Sequence, residues 1–138
     1  MLDREIFSRR LAALRGYLEK LRAFRPTSEQ EFRRSPALHH LAERYLHLAV
    51  ECVLDLGNHY IAEQGLPAPE TNPDTFTRLE RAGAIPPELA GRLRAWAGFR
   101  NILVHQYLDI DHGIAWHAIQ KELGDLEAFA SWATTQLD

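Results

Sequence analysis

The chain has 138 residues, of which 46% are hydrophobic and 25% charged, and its formal charge is -3. This composition excludes disordered and fibrous classes and suits one globular domain, residues 1–138, able to bury a core without disulfides or a structural metal. So small a net charge singles out no class of partner. Its distribution is nevertheless uneven, with seven basic and three acidic side chains in residues 1–25 against one basic and six acidic in residues 108–138. Such asymmetry serves either nucleic-acid contact at one end or simply solvated helix faces. Residues 1–24 are charged throughout and lack the apolar core of a signal peptide. No run approaches the roughly 18 apolar residues that span a bilayer, so a cytoplasmic address without membrane contact is expected.

Asp3 offers an N-cap, and apolar residues then recur at Ile6 and Phe7, Leu11, Leu14, Leu18 and Leu21, the spacing of an amphipathic helix that Pro26 ends. Thr27 or Ser28 is placed to cap a single turn before Phe32. Ser35-Pro36 opens a second helix by the cap-then-proline pattern, which carries Leu38, Leu41, Tyr45, Leu48, Cys52, Leu56 and Tyr60 to a stop at Gly65. Cys52, the single cysteine, lies in an apolar run and reads as a buried small hydrophobe. Residues 66–73 are too rich in proline for a regular element. Asn72-Pro73 begins a short third helix ending near Gly83, and Pro86-Pro87 begins a fourth that runs to about Tyr107. A fifth runs from Asp111 or His112 into the C-terminus, with Ile114, Ile119, Leu123, Leu126, Phe129 and Trp132 apolar. No segment alternates as a strand. The expected architecture is all-α, an antiparallel, up-and-down bundle of four main helices plus a short extra helix.

The fourth helix is the informative one. At about 100° per residue, Leu89, Leu93, Trp96 and Leu103 project from one side, and Gly91, Ala95, Gly98 and Ile102 from nearly the opposite side. A helix apolar on both sides is sandwiched. Each interior glycine costs about 1 kcal/mol against alanine, which close approach of another helix, from this chain or a second protomer, would offset. Arg100 lies on the Leu/Trp side, where an unpaired charge is costly. Glu51 and Asp55, four apart on the second helix, are candidate counter-charges, with a solvated carboxylate pair as the other reading. His105 lies about 140° round the helix from Arg100; Asn101 shares the face of His105, and Tyr107 falls back on the side of Arg100. An arginine and a histidine five apart are by themselves weak evidence of chemistry.

The string Arg100-Asn101-Ile102-Leu103-Val104-His105-Gln106-Tyr107 resembles the R-x4-H-x-Y signature of HepT-like HEPN toxins, the partners of MntA-type minimal nucleotidyltransferases. The likeness extends through residues 43–63 and 74–99 and on to Leu108, Asp109, Ile110 and Asp111, nearly the whole chain. It implies a HEPN-like fold and an RNA-cutting toxin whose homodimer juxtaposes two motifs. It also implies a nucleotidyltransferase antitoxin that transfers AMP to Tyr107.

RNA carries its own nucleophile, the 2′-OH, so an enzyme without a metal or cofactor need only move protons and stabilise charge on the phosphorane. A histidine, ordinarily titrating near pH 6.5, suits the first task, and a forked, permanently charged arginine the second. His105 is therefore expected as general acid or base and Arg100 as the binder of the scissile phosphate. Asn101 is expected to orient them, with a plain helix-surface amide as the alternative. His40, Glu43 and His47 on the second helix, and His112 and His117 further on, have no zinc spacing and no cysteine companion, so no metal site is expected. The rival reading is a non-catalytic HEPN module that only docks a nucleotidyltransferase.

Overall fold

The computed structural model describes residues 3–138, and helices are the only regular elements among them. They are α1 (Arg4–Arg22), α2 (Glu29–Arg34), α3 (Pro36–Glu63), α4 (Asn72–Arg81), α5 (Pro87–His105), α6 (His112–Lys121) and α7 (Leu123–Thr135). Their starts follow local chemistry. The Asp3 carboxylate accepts from the Ile6 amide and the Ser28 hydroxyl from the Glu31 amide, both at 3.1 Å. Ser35 accepts from Leu38 at 3.3 Å and Thr71 from Asp74 at 3.2 Å. Each satisfies a first-turn donor that the helix leaves unpaired. Pro36, Pro73 and Pro87 stand in first turns, where a missing N–H costs nothing. At the far ends of α3 and α4, Gly65 (φ 65°) and Gly83 (φ 74°) take the left-handed conformation. The amides of Leu66 and Ala84 thereby return to the carbonyls of Ile61 and Leu79, both at 3.0 Å.

Paired contacts fix the topology. Arg10 meets Asp55 while Tyr17 meets Tyr45, so α1 runs antiparallel to α3. Arg100 meets Glu51 while Leu103 shares a wall with His40 and His47, so α5 does the same. Arg4 reaches the Leu137 carbonyl and Arg22 the Glu127 carboxylate, which lays α7 antiparallel along α1. The basic first helix thus packs on the acidic C-terminal one, and part of the charge asymmetry of the sequence is matched within the fold. Phe7, Leu14, Leu46, Phe76, Leu93 and Phe129 are fully buried at the centre. Each stabilises the fold by roughly 1.5–3 kcal/mol on leaving water. Cys52 is buried as expected, and that burial pushes its thiol up to about 11, which makes it inert.

The all-α bundle holds more pieces than the sequence suggests. The turn before Phe32 is a six-residue helix, α2. The expected fifth helix is two, broken at Glu122 (φ -121°, ψ 0°). Both pieces touch α1 and α3, but α6 packs on α2 and α7 on α5, and one straight helix does not reach both. α5 ends at His105, not about Tyr107. Gln106 leaves the helical region (φ -122°, ψ 36°), and the chain turns so that the Asp109 amide donates to the Gln106 carbonyl at 2.8 Å. No helix among the described residues is long and apolar enough to cross a membrane.

Candidate active site at the end of α5

Arg100 points from α5 towards α3, where its Nε donates to the Glu51 carboxylate. Its Nη1 donates to the Asn101 side-chain oxygen at 3.1 Å. Two sides of the guanidinium are therefore held, and Nη2 remains for another acceptor. With 18% of its side chain exposed, Arg100 meets the requirement that a charge among Leu89, Leu93 and Trp96 find an anion. Of the two candidate carboxylates on α3, Glu51 supplies it. Asp55 does not, which corrects that expectation: one turn further along, it faces α1 and pairs with Arg10 at 3.3 Å.

The same Glu51 oxygen, Oε1, ties in His47, whose Nε2 lies 3.6 Å from it. Its Nδ1 lies 3.0 Å from Nη1 of Arg44. A guanidinium only donates, so Nδ1 is the acceptor and the single imidazole proton is on Nε2, turned to Glu51. Burial holds His47 below its ordinary pKa; Glu51 opposes this, and Arg44 and Arg100 reinforce it. Arg44, His47, Glu51 and Arg100 thus form one line of contacts. Sequence reasoning weighed His47 only as a metal ligand and passed over Arg44. The available signal was their spacing, since positions 44, 47 and 51 share a helix face.

His105 is exposed, and its imidazole makes no hydrogen bond or ion pair among the described residues. Tyr107 lies beyond the helix in the α5–α6 connection, so its expected place on the helical side of Arg100 is also corrected. It is 67% exposed and borders a pocket of about 310 Å³ with His40, Glu43, Arg44, His47, Leu103 and Ile110. At the back of that pocket Glu43 is only 5% exposed and meets Nδ1 of His112 at 2.5 Å. His112 in turn stacks on buried His39, ring centroids 3.6 Å apart. Among the described residues no group of three or more His, Cys, Asp or Glu side chains is arranged to hold a metal ion.

The opposite side of α5 is bare. A Cβ at Gly98 would meet nothing within 4 Å, and Ile102 is 38% exposed. Next to this stripe an apolar groove of about 630 Å³ opens between α5 and α6, lined by Ala95, Gly98, Phe99, Ile102, Ile114 and Ala118. On the helical projection Gly91, Ala95, Gly98, Ile102 and His105 fall within about 80° of one another. The bare stripe therefore ends on His105.

A family model described as Ribonuclease HepT-like matches residues 14–132. A curated relative from Shewanella oneidensis, named mRNA nuclease HepT, is 35% identical over 79 residues, 57% of this chain and 59% of that protein. One from Aphanizomenon flos-aquae, named tRNA nuclease HepT, is 31% identical over 114 residues, 83% of this chain and 78% of that protein. Among solved structures, the tri-AMPylated Shewanella oneidensis HEPN toxin in complex with MNT antitoxin superposes with a TM-score of 0.87 at 26% identity. That match covers 98% of this chain and 99% of that one.

Proposed function

Since the chain belongs to the HepT-like ribonuclease family, we propose that it is the toxin of a toxin–antitoxin pair, a metal-independent endoribonuclease with a composite site at a homodimer interface. The observation that carries this reading is the end of α5. There an arginine is held from two sides with one nitrogen to spare, and five residues on an exposed histidine closes a bare apolar stripe. Packing two copies along that stripe would bring two His105 side chains together and shorten the reach to each Arg100. In the reaction, an imidazole nitrogen of His105 takes the 2′-OH proton as that oxygen bonds to phosphorus. The bond from phosphorus to the 5′ oxygen breaks, and the leaving oxygen takes a proton from an imidazolium. The products are a 2′,3′-cyclic phosphate and a 5′-hydroxyl. Arg100, oriented by Glu51 and Asn101, binds the phosphate oxygens as their charge grows.

Neutralisation by an MntA-type nucleotidyltransferase follows at Tyr107, whose exposure suits modification by a second enzyme. Its hydroxyl oxygen bonds to the α-phosphorus of a nucleoside triphosphate, pyrophosphate leaves and the phenolic proton goes to solvent. The test is cleavage of RNA in EDTA by wild type, Arg100→Ala and His105→Ala. Each variant should lose roughly 10²–10⁴-fold in rate at unchanged helix content. Wild-type rates in His105→Ala, or cleavage that EDTA stops and a divalent ion restores, would overturn the mechanism. A wild type that cuts nothing yet binds the nucleotidyltransferase would favour the docking module.

A further inference from the structure

We propose that the pocket between α3 and the α5–α6 connection is a subsite for one phosphodiester-linked nucleotide beside the bond being cut. Arg44 and His47 hold its phosphate, and Leu103, Tyr107 and Ile110 receive its base. This rests on the nuclease reading above and adds to it a second contact along the substrate strand.

The charges in the pocket favour an anion. Arg44 is exposed, and among the described residues its one polar contact is the His47 ring, so most of its donors are unused and no carboxylate pairs with it. Of the acidic groups on α3 beside it, Glu43 is buried against His112 and Glu51 is bound to Arg100, while in the connection Asp109 and Asp111 do not line the pocket and Asp111 is paired with Arg33. What faces the opening is Arg44, His47 and His40. The Arg44 guanidinium donates to Nδ1 of His47, and burial, Arg44 and Arg100 hold the His47 pKa below its ordinary value against Glu51. A phosphate taken by Arg44 would draw the guanidinium off Nδ1 and free that nitrogen to bind a proton.

The apolar side of the pocket suits a base. Leu103 is nearly buried, Ile110 is half-buried, and the Tyr107 ring stands free at the rim, the kind of platform on which any base stacks. A volume of about 310 Å³ lies at the small end of ligand sites, room for one nucleotide and not for several. Side-chain contacts through His47 and Glu51 join Arg44 in the pocket to Arg100 beside it, so successive phosphates of one strand would meet Arg44 and then Arg100. AMP attached to the Tyr107 hydroxyl carries the same chemistry into the same pocket. Its phosphodiester would take the place of the substrate's, so the modified protein is blocked by occupancy of this subsite.

The probes are AMP and inorganic phosphate, added to the homodimer while histidine and tyrosine ring resonances are followed by NMR. Binding of a 2′-deoxy-substituted RNA oligonucleotide is measured in parallel. AMP should move both His47 and Tyr107 and raise the His47 titration midpoint, whereas inorganic phosphate should move His47 alone. Arg44→Ala should remove the His47 response, weaken oligonucleotide binding about tenfold and lower the salt slope by about one phosphate contact, with Arg44→Lys recovering part of both. Protein already carrying AMP on Tyr107 should show His47 shifted at the outset and silent to added AMP, which separates that source from RNA. If Arg44→Ala binds the oligonucleotide and cuts RNA as the wild type does, the subsite is overturned. A wild type that cuts RNA while His47 ignores AMP overturns the subsite and spares the nuclease reading. His47 answering AMP in a protein that cuts nothing does the reverse.

Discussion

The two sides of α5, one of large apolar residues and one of small apolar residues with Ile102, meet opposite fates. On the inner side Leu89, Leu93, Trp96 and Leu103 are between 0% and 8% exposed, packed on the rest of the bundle. On the outer side Gly91 and Ala95 are exposed, Gly98 has nothing above it, and Ile102 stands 38% exposed over an open groove. The inner side is satisfied by this chain, whereas the outer side is left open by it. Arg100 belongs to the first and His105 to the second. The two parts of the candidate site are therefore governed by different physics, one by the fold and the other, on the function proposed above, by assembly.

The largest expected effect on stability lies on the inner side. Leu93→Ala should destabilise the fold by about 2–5 kcal/mol, read from the urea midpoint at fixed protein concentration. Ala95→Ser on the outer side should change it by less than about 0.5 kcal/mol in the isolated subunit. Equal effects at the two positions would break the comparison. Next in size is Gly98→Leu. Filling a close helix contact costs about 1–3 kcal/mol, so dimer dissociation measured by sedimentation should rise by about 5- to 150-fold while the subunit's helix content stays constant. Cleavage should fall at low concentration and recover at high. Unaltered association would place the interface elsewhere.

How much of this was legible depended on whether a feature is local. Ser35-Pro36, Asn72-Pro73 and Pro86-Pro87 announced the starts of α3, α4 and α5 because capping is decided within one turn. The doubly apolar character of α5 was equally plain. The counter-charge of Arg100 was not, since Glu51 and Asp55 share a helix face and only the crossing of α1, α3 and α5 sends one to Arg100 and the other to Arg10. The end of α5 at His105 carries no glycine or proline, and at the break at Glu122 the nearest is Gly124, inside the first turn of α7. Both are imposed by where α6 must pack, so Tyr107 was placed on a helix it does not belong to.

The smallest expected effect concerns pH, and it tests the seam where α3 meets the inner side of α5. In the unfolded chain His47 titrates near its ordinary value of about 6.5. In the fold, burial first, then Arg44 and Arg100, hold its pKa lower although Glu51 pulls the other way. As pH falls through about 6.5 the unfolded chain takes up this proton before the folded one does, so stability is present above that pH and is lost as pH falls through the folded pKa. Asp111 adds a separate loss further down. Its carboxyl is held below the usual range by the Gly113 amide first and by Arg33, so it matters only as pH drops below the normal carboxylate range. The two limbs are thereby resolved. His47→Gln removes the upper one and keeps a neutral side chain beside Glu51. Urea midpoints of wild type and variant at pH 7.5 and 5.5 provide the measurement, and because the other histidines are common to both proteins their contributions cancel in the difference. The wild type should lose more stability than the variant between the two pH values. Equal losses would mean that Arg44 and Arg100 do not crowd His47 in solution, and the line of contacts from Arg44 to Arg100 would have to be redrawn.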